Sequence, residues 1–171
     1  VGIATAELGH RGQDVAQPRA ALDRALRTAL DHRPVGHRIR ERHPQLDHVG
    51  AGGDQRKAGM DLPSPHWQST LIDVKTTPTL KVRFRATTPH NPSFWQFYLS
   101  NPDYDGATTA LSWEKLTLIH QQNDVPAQSG YYEIDIPMPK SRSGKAVLYT
   151  RWQRQDVVGE GFYNCSDLQL I

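Results

Sequence analysis

Aromatic rings are missing from the first 66 positions: all 14 Phe, Trp and Tyr residues of this 171-residue chain fall from Trp67 onward. A stretch without rings lacks the side chains that bury the most area each, so the first third is not expected to form a core of its own. Cysteine is scarce as well. Cys165 is the single one, so histidines in the first part have no cysteine partner for a zinc site. No run of 18 apolar residues occurs, which speaks against a membrane-spanning helix. The start "VGIATAEL" has no basic residue and no long apolar stretch, so it does not read as a signal peptide, and secretion is not excluded by that. Net charge is only +2, too small to imply nucleic acid or an acidic surface as partner.

What is present divides near residue 57. The first 60 residues hold nine Arg, one Lys and five His against seven acidic residues, whereas the remainder is close to neutral. Within this part "PRAALDRALRTALDH" (18–32) reads as one amphipathic helix. Pro18 suits a first turn, Leu22, Leu26, Ala29 and Leu30 form an apolar stripe, and Asp23 and Arg27 stand four apart. After Pro34, "VGHRIRERHPQLDHVGAGGDQRKAG" has no period and reads as irregular loop or disorder. His37, His43 and His48 do not fall at a zinc spacing. A solvated basic loop is the plainer reading of that stretch, ahead of a metal or nucleic-acid site.

From residue 58 the pattern is all-β. "TLKVRFRA" alternates, with Leu80, Val82, Phe84 and Ala86 on one side and Lys81, Arg83 and Arg85 on the other. "SFWQFYLS" is a second strand. "GYYEIDIPM" is a third, with Tyr132, Ile134 and Ile136 inward. "KAVLYTRWQ" and "FYNCSDLQLI" follow, and "STLIDVK" is a candidate sixth. Turn-forming clusters separate them. "LSWEKLTLIH" reads as a short helix begun by Ser112, with Trp113, Leu116 and Ile119 or His120 on one side. The expected fold is an antiparallel β-sandwich of the immunoglobulin/fibronectin-III kind, preceded by a segment with one helix and irregular loop.

In "ATTPHNPSFWQFYLS" (86–100) a histidine stands between two prolines at the mouth of the most aromatic strand. Proline fixes φ and biases its predecessor away from the helical region, so Thr88–Ser93 is expected to be a stiff loop that holds His90 on a rigid edge. Read alone, this is a structural turn histidine more readily than a ligand.

"RATTPHNPSFWQFYLSNPDYD", "LSWEKLTLI" and "SGKAVLYTRWQRQDVVGEGFYNCSDLQL", in that order, resemble the bacterial lytic polysaccharide monooxygenases of auxiliary activity family ten, long called chitin-binding proteins. The resemblance covers roughly 58–171. It implies a secreted, monomeric domain that oxidises chitin or cellulose at one copper ion, held by two histidines in a T-shaped brace. One of these is the mature N-terminal residue. His90 is the other, carried over from the loop matching "TTPHNPS". Phe162 matches the apolar residue on the axial side of the copper, and Trp152 the tryptophan packed behind it. Asp156 and Glu160 match the polar and acidic groups near the metal. Outside the resemblance Phe162 and Trp152 read as core rings, and Asp156 and Glu160 as solvated loop charges.

Three departures stand out. The chain begins with Val1, which offers an amine but no imidazole. Cys165 lacks the upstream cysteine that commonly pairs with it in the family. Thr88 stands where the family prefers a small alanine. Residues 1–57 do not resemble the family and read either as a shifted frame of GC-rich DNA or as a divergent region; translating the upstream DNA in its other frames distinguishes these. A copper-dependent monooxygenase is therefore the leading expectation. A non-catalytic carbohydrate-binding module is the alternative that Val1 favours, and a plain sandwich interaction domain comes third.

Overall fold

The computed structural model describes residues 4–5, 49 and 55–171. The helix expected over 18–32, and His37, His43 and His48, lie outside the described residues. The end of the stretch read as irregular loop is ordered, because Gln55–Asp61 forms a 3-10 helix. That helix crosses the division drawn at residue 57.

The alternating segment folds as β3 (Thr79–Arg85) and pairs antiparallel with β6 (Tyr131–Pro137), placing Leu80 opposite Ile136 and Val82 opposite Ile134. These four are buried. Their outward neighbours meet as ion pairs, Lys81 Nζ to Asp135 Oδ1 at 3.2 Å and Arg83 Nε to Glu133 Oε1 at 3.3 Å. Such exposed pairs contribute about 0–1 kcal/mol each, so the inward apolar row holds the pair together. A two-residue strand, β1 (Ala4–Thr5), runs parallel to β3 on its other edge.

The second sheet has the order β2 (Thr70–Ile72), β8 (Gly161–Leu170), β7 (Gly144–Arg154), β4 (Ser93–Ser100), β5 (Leu116–Asn123). All neighbours are antiparallel except β2, which is parallel to β8. The sandwich is thus mixed at two short edge strands rather than wholly antiparallel. Between the sheets Val82, Ile134 and Ile136 meet Phe97, Leu148 and Leu168 in one core.

The outer face of the five-stranded sheet is covered too. Tyr98, Tyr149 and Cys165 pack there with Tyr104 and Leu111 from the β4–β5 connection, and with Val49. The sole cysteine is therefore fully buried among rings.

The helix read in "LSWEKLTLIH" is corrected. Ser112 does precede a turn of 3-10 helix, Trp113–Lys115, but Leu116 onward is β5. The apolar period that mimicked a helix comes from a bulge. The pairing of β5 with β4 shifts register between Phe97 and Tyr98, leaving Ile119 as the extra residue. An inserted residue switches which face later side chains occupy. So Trp113 and Leu116 join the outer cluster, while Ile119 packs on the inner core and His120 stacks on Phe97 at 6.0 Å. A stripe with spacing of three and four results without a helix.

Tyr149 is 1% exposed, and its burial, with smaller contributions from the neighbouring Cys165 and Tyr163, pushes its phenol far above the ordinary value. A raised folded-state pKa contributes stability that is complete below the unfolded value of about 10 and is lost as pH rises above it. In an alkaline titration the near-ultraviolet phenolate signal of Tyr149 should therefore appear together with loss of the β-sheet circular-dichroism signal. Ionisation of Tyr149 in a still-folded protein would contradict this placement.

Candidate functional site

His90 is carried by the connection from β3 to β4, residues 86–92, which is free of regular structure as the two prolines require. Four long-range hydrogen bonds fasten this loop. Ala86 N–H donates to Gly130 O at 2.8 Å, and His90 N–H to Tyr132 Oη at 3.0 Å. Asn91 Nδ2 donates to Val125 O at 3.4 Å, and Gln155 N–H to Pro92 O at 2.9 Å. The imidazole is half-buried and makes no hydrogen bond among the described residues.

Beneath it lies a stack of rings. Trp152, at the end of β7, stacks with His90 at 6.4 Å and with Phe162, at the start of β8, at 5.0 Å. Antiparallel pairing sets Trp152 opposite Phe162, and Trp95 opposite Trp152. Trp95 and Tyr132 complete the cluster, at 5.8 and 5.7 Å from Trp152. Thus His90, Trp152 and Phe162 are gathered at one end of the sandwich. Trp152 belongs to the core, being 8% exposed, and also walls the site.

Asp156 and Glu160 lie in the β7–β8 hairpin, and both turn to Arg154. Its Nε donates to Asp156 Oδ2 at 2.8 Å, its Nη2 reaches the same oxygen, and its Nη1 donates to Glu160 Oε2 at 2.5 Å. Asp156 Oδ1 accepts the backbone N–H groups of Val158 and Gly159. Burial pushes the Asp156 carboxyl up, but these amides and Arg154 outweigh it and hold the group below the usual carboxylate range. Asp156 thus has both oxygens engaged. Glu160 keeps Oε1 without a hydrogen bond among the described residues.

Gln153 ties the hairpin's base, its Nε2 donating to the carbonyls of Arg154, Gly159 and Glu160 at 3.1, 2.8 and 3.2 Å. Gly161 beside it leaves room for these side chains: a Cβ there would come within 2.8 Å of Tyr163 Oη and 2.9 Å of Gln153 Oε1, so both would have to shift. The tip, Val157 and Val158, is exposed.

Thr88 is exposed on the same loop as His90 and makes no hydrogen bond among the described residues. The sequence reading missed two residues that build this end, Arg154 and Tyr132. Arg154 was findable as the cation followed by two carboxylates in "RQDVVGE". Tyr132, 42 positions from His90, carried no local signal.

Among the described residues no group of three or more His, Cys, Asp or Glu side chains converges as a metal site. What fits copper is the imidazole. Nitrogen donors suit copper(II), and His90 is rigidly mounted with no competing hydrogen bond. The adjoining rings of Phe162 and Trp152 offer no ligand. His90 is thus one imidazole nitrogen donor available at this rim. Of the other described histidines, His120 stacks on Phe97 and His66 is exposed within the segment leading to β2.

The profile of a family described as lytic polysaccharide mono-oxygenase, cellulose-degrading, matches residues 11–168, a range that begins within the part left outside the sequence resemblance. Spindolin of Choristoneura biennis entomopoxvirus is 35% identical over 128 residues, which is 67% of this chain and 37% of spindolin. The chitin-binding protein CbpD of Pseudomonas aeruginosa is 30% identical over 114 residues, 66% of this chain and 29% of that protein. An entomopoxvirus fusolin in complex with zinc superposes with a TM-score of 0.57 at 33% identity, over 67% of this chain and 42% of the fusolin. The chain thus spans about a third of the length of the curated relatives it matches.

Proposed function

This chain belongs to the lytic polysaccharide mono-oxygenase family, and from that membership we propose that its sandwich is a secreted, copper-dependent domain that cleaves crystalline chitin or cellulose oxidatively, with His90 as the metal's imidazole ligand. The observation that carries this reading is the convergence of His90, Trp152 and Phe162 at one rim. The chemistry copper supplies when bound is one-electron activation of O₂ or H₂O₂, with hydroxylation at a glycosidic carbon. His90 offers a neutral nitrogen donor from a loop fixed at both ends. Phe162 and Trp152 exclude water and competing ligands from the side they cover. Arg154 orients the two carboxylates, of which Asp156 is spent on folding the hairpin tip. Glu160 Oε1 remains to accept or return a proton. The exposed Val157–Val158 tip sits beside these groups and suits an apolar crystal face.

Incubating the protein with chitin and with cellulose, copper and a reductant tests the proposal. Oxidised oligosaccharides from either polymer support it, and their absence with both overturns the catalytic part. Glu160→Gln keeps the shape of the side chain but removes the base. It should lower the oxidation rate about 100-fold while leaving copper binding in place; an unchanged rate would assign Glu160 to the hairpin alone.

A non-catalytic chitin- or cellulose-binding module is the second reading. It is favoured by the observation that, among the described residues, no group of three or more His, Cys, Asp or Glu side chains converges around His90. Polysaccharide pull-down that is indifferent to copper, without oxidised products, would select it.

A further inference from the structure

We propose that Tyr132 is a positioning residue for His90. The inference rests on the reading of His90 as a metal ligand and names the group that sets its place. His90 N–H donates to one acceptor, Tyr132 Oη, at 3.0 Å. Every other fastening of the loop acts on a neighbour: Ala86, Asn91, Pro92. Tyr132 itself has little freedom. It is 3% exposed, and its ring is wedged against Trp95 at 5.2 Å and Trp152 at 5.7 Å. It stands on β6, in the three-stranded sheet, whereas Trp95 and Trp152 belong to the five-stranded sheet.

The hydroxyl therefore reaches across the core to the loop that opens β4, and it fixes the height of the His90 backbone above the stacked rings. The imidazole then has its own torsions only, over a Trp152 face that is also fixed. A ligand held by buried partners presents its nitrogen with little reorganisation. Loss of such outer partners commonly costs about 10–100-fold in metal affinity. The charge of the metal is immaterial to the anchor, which forms from backbone and phenol alone.

Tyr132→Phe removes the hydroxyl and retains the ring, so packing against Trp95 and Trp152 persists. Tyr98→Phe is the control, because Tyr98 donates its hydroxyl to Gln96 in the outer cluster, away from His90. Two measurements on the full chain are expected to move together in Tyr132→Phe and not in Tyr98→Phe. Amide hydrogen exchange at His90 should accelerate at least about tenfold, and the copper(II) dissociation constant should rise about 10–100-fold with an altered electron-paramagnetic-resonance signature. Unchanged exchange at His90 overturns the anchor. Faster exchange with unchanged copper affinity, while His90→Ala abolishes binding, overturns the positioning role and leaves the metal reading intact. Copper binding that ignores His90→Ala overturns the metal reading itself, and with it any role of Tyr132 toward a ligand.

Discussion

His90→Ala is expected to abolish tight one-to-one copper binding and, with it, all release of oxidised oligosaccharides, while the fold stays intact. The asymmetry follows from the site. The imidazole makes no hydrogen bond among the described residues, so its removal leaves no orphaned partner inside. It stands 6.4 Å from Trp152, whose closer contacts with Trp95, Tyr132 and Phe162 remain, so little packing is lost. The melting temperature should fall by no more than a few degrees. His66→Ala, in an exposed segment, serves as the matched control and should bind copper as the parent does. Isothermal titration and spin resonance read the first part, and product chromatography the second. Tight stoichiometric binding by His90→Ala would remove His90 from the metal site and leave it a turn residue.

Trp152→Ala should be the most destabilising substitution at this end. Trp152 is 8% exposed and contacts His90, Trp95, Tyr132 and Phe162, so its ring joins both sheets and the loop. Truncating a buried tryptophan costs about 3–5 kcal/mol through lost transfer energy and the cavity left behind. Against a total stability of roughly 5–15 kcal/mol, that is a large fraction. For a chain of this size it corresponds to a melting temperature lower by on the order of 10 °C. Trp152→Phe, which keeps part of the volume, should recover roughly half of the loss. A drop below about 1 kcal/mol in Trp152→Ala would mean that the surrounding rings collapse into the gap and that Trp152 is not the keystone.

Much of the fold was legible because one face of each strand is buried. Leu80, Val82, Ile134 and Ile136 alternate with charges, and alternation can only be satisfied by a two-sided strand. "SFWQFYLS" was bounded correctly at both ends, since Pro92 stops what precedes it and Asn101–Pro102 ends it. β5 was not legible. Its bulge at Ile119 breaks the period of two, and the register that makes the bulge is set by its partner β4. The parallel edge pairings were invisible for a similar reason: Thr70–Ile72 says nothing of the direction of the strand it will meet.

At the site the division is sharper. Two prolines and a histidine within four residues determined that an imidazole would be held on a stiff loop, because proline restricts φ wherever it occurs. Trp152 in "LYTRWQ" and Phe162 in "EGFYN" read as core rings from the sequence alone. Only the tertiary structure decided that these meet: Trp152 faces Phe162 through the β7–β8 register, and Tyr132 reaches His90 from the other sheet. It also decided that Asp156 and Glu160, alike as carboxylates in the chain, differ in what remains open on them, since hydrogen bonding to Arg154 and the hairpin amides saturates one and not the other. Local sequence constrains torsions and faces, whereas contacts across 40 residues depend on how two sheets pack.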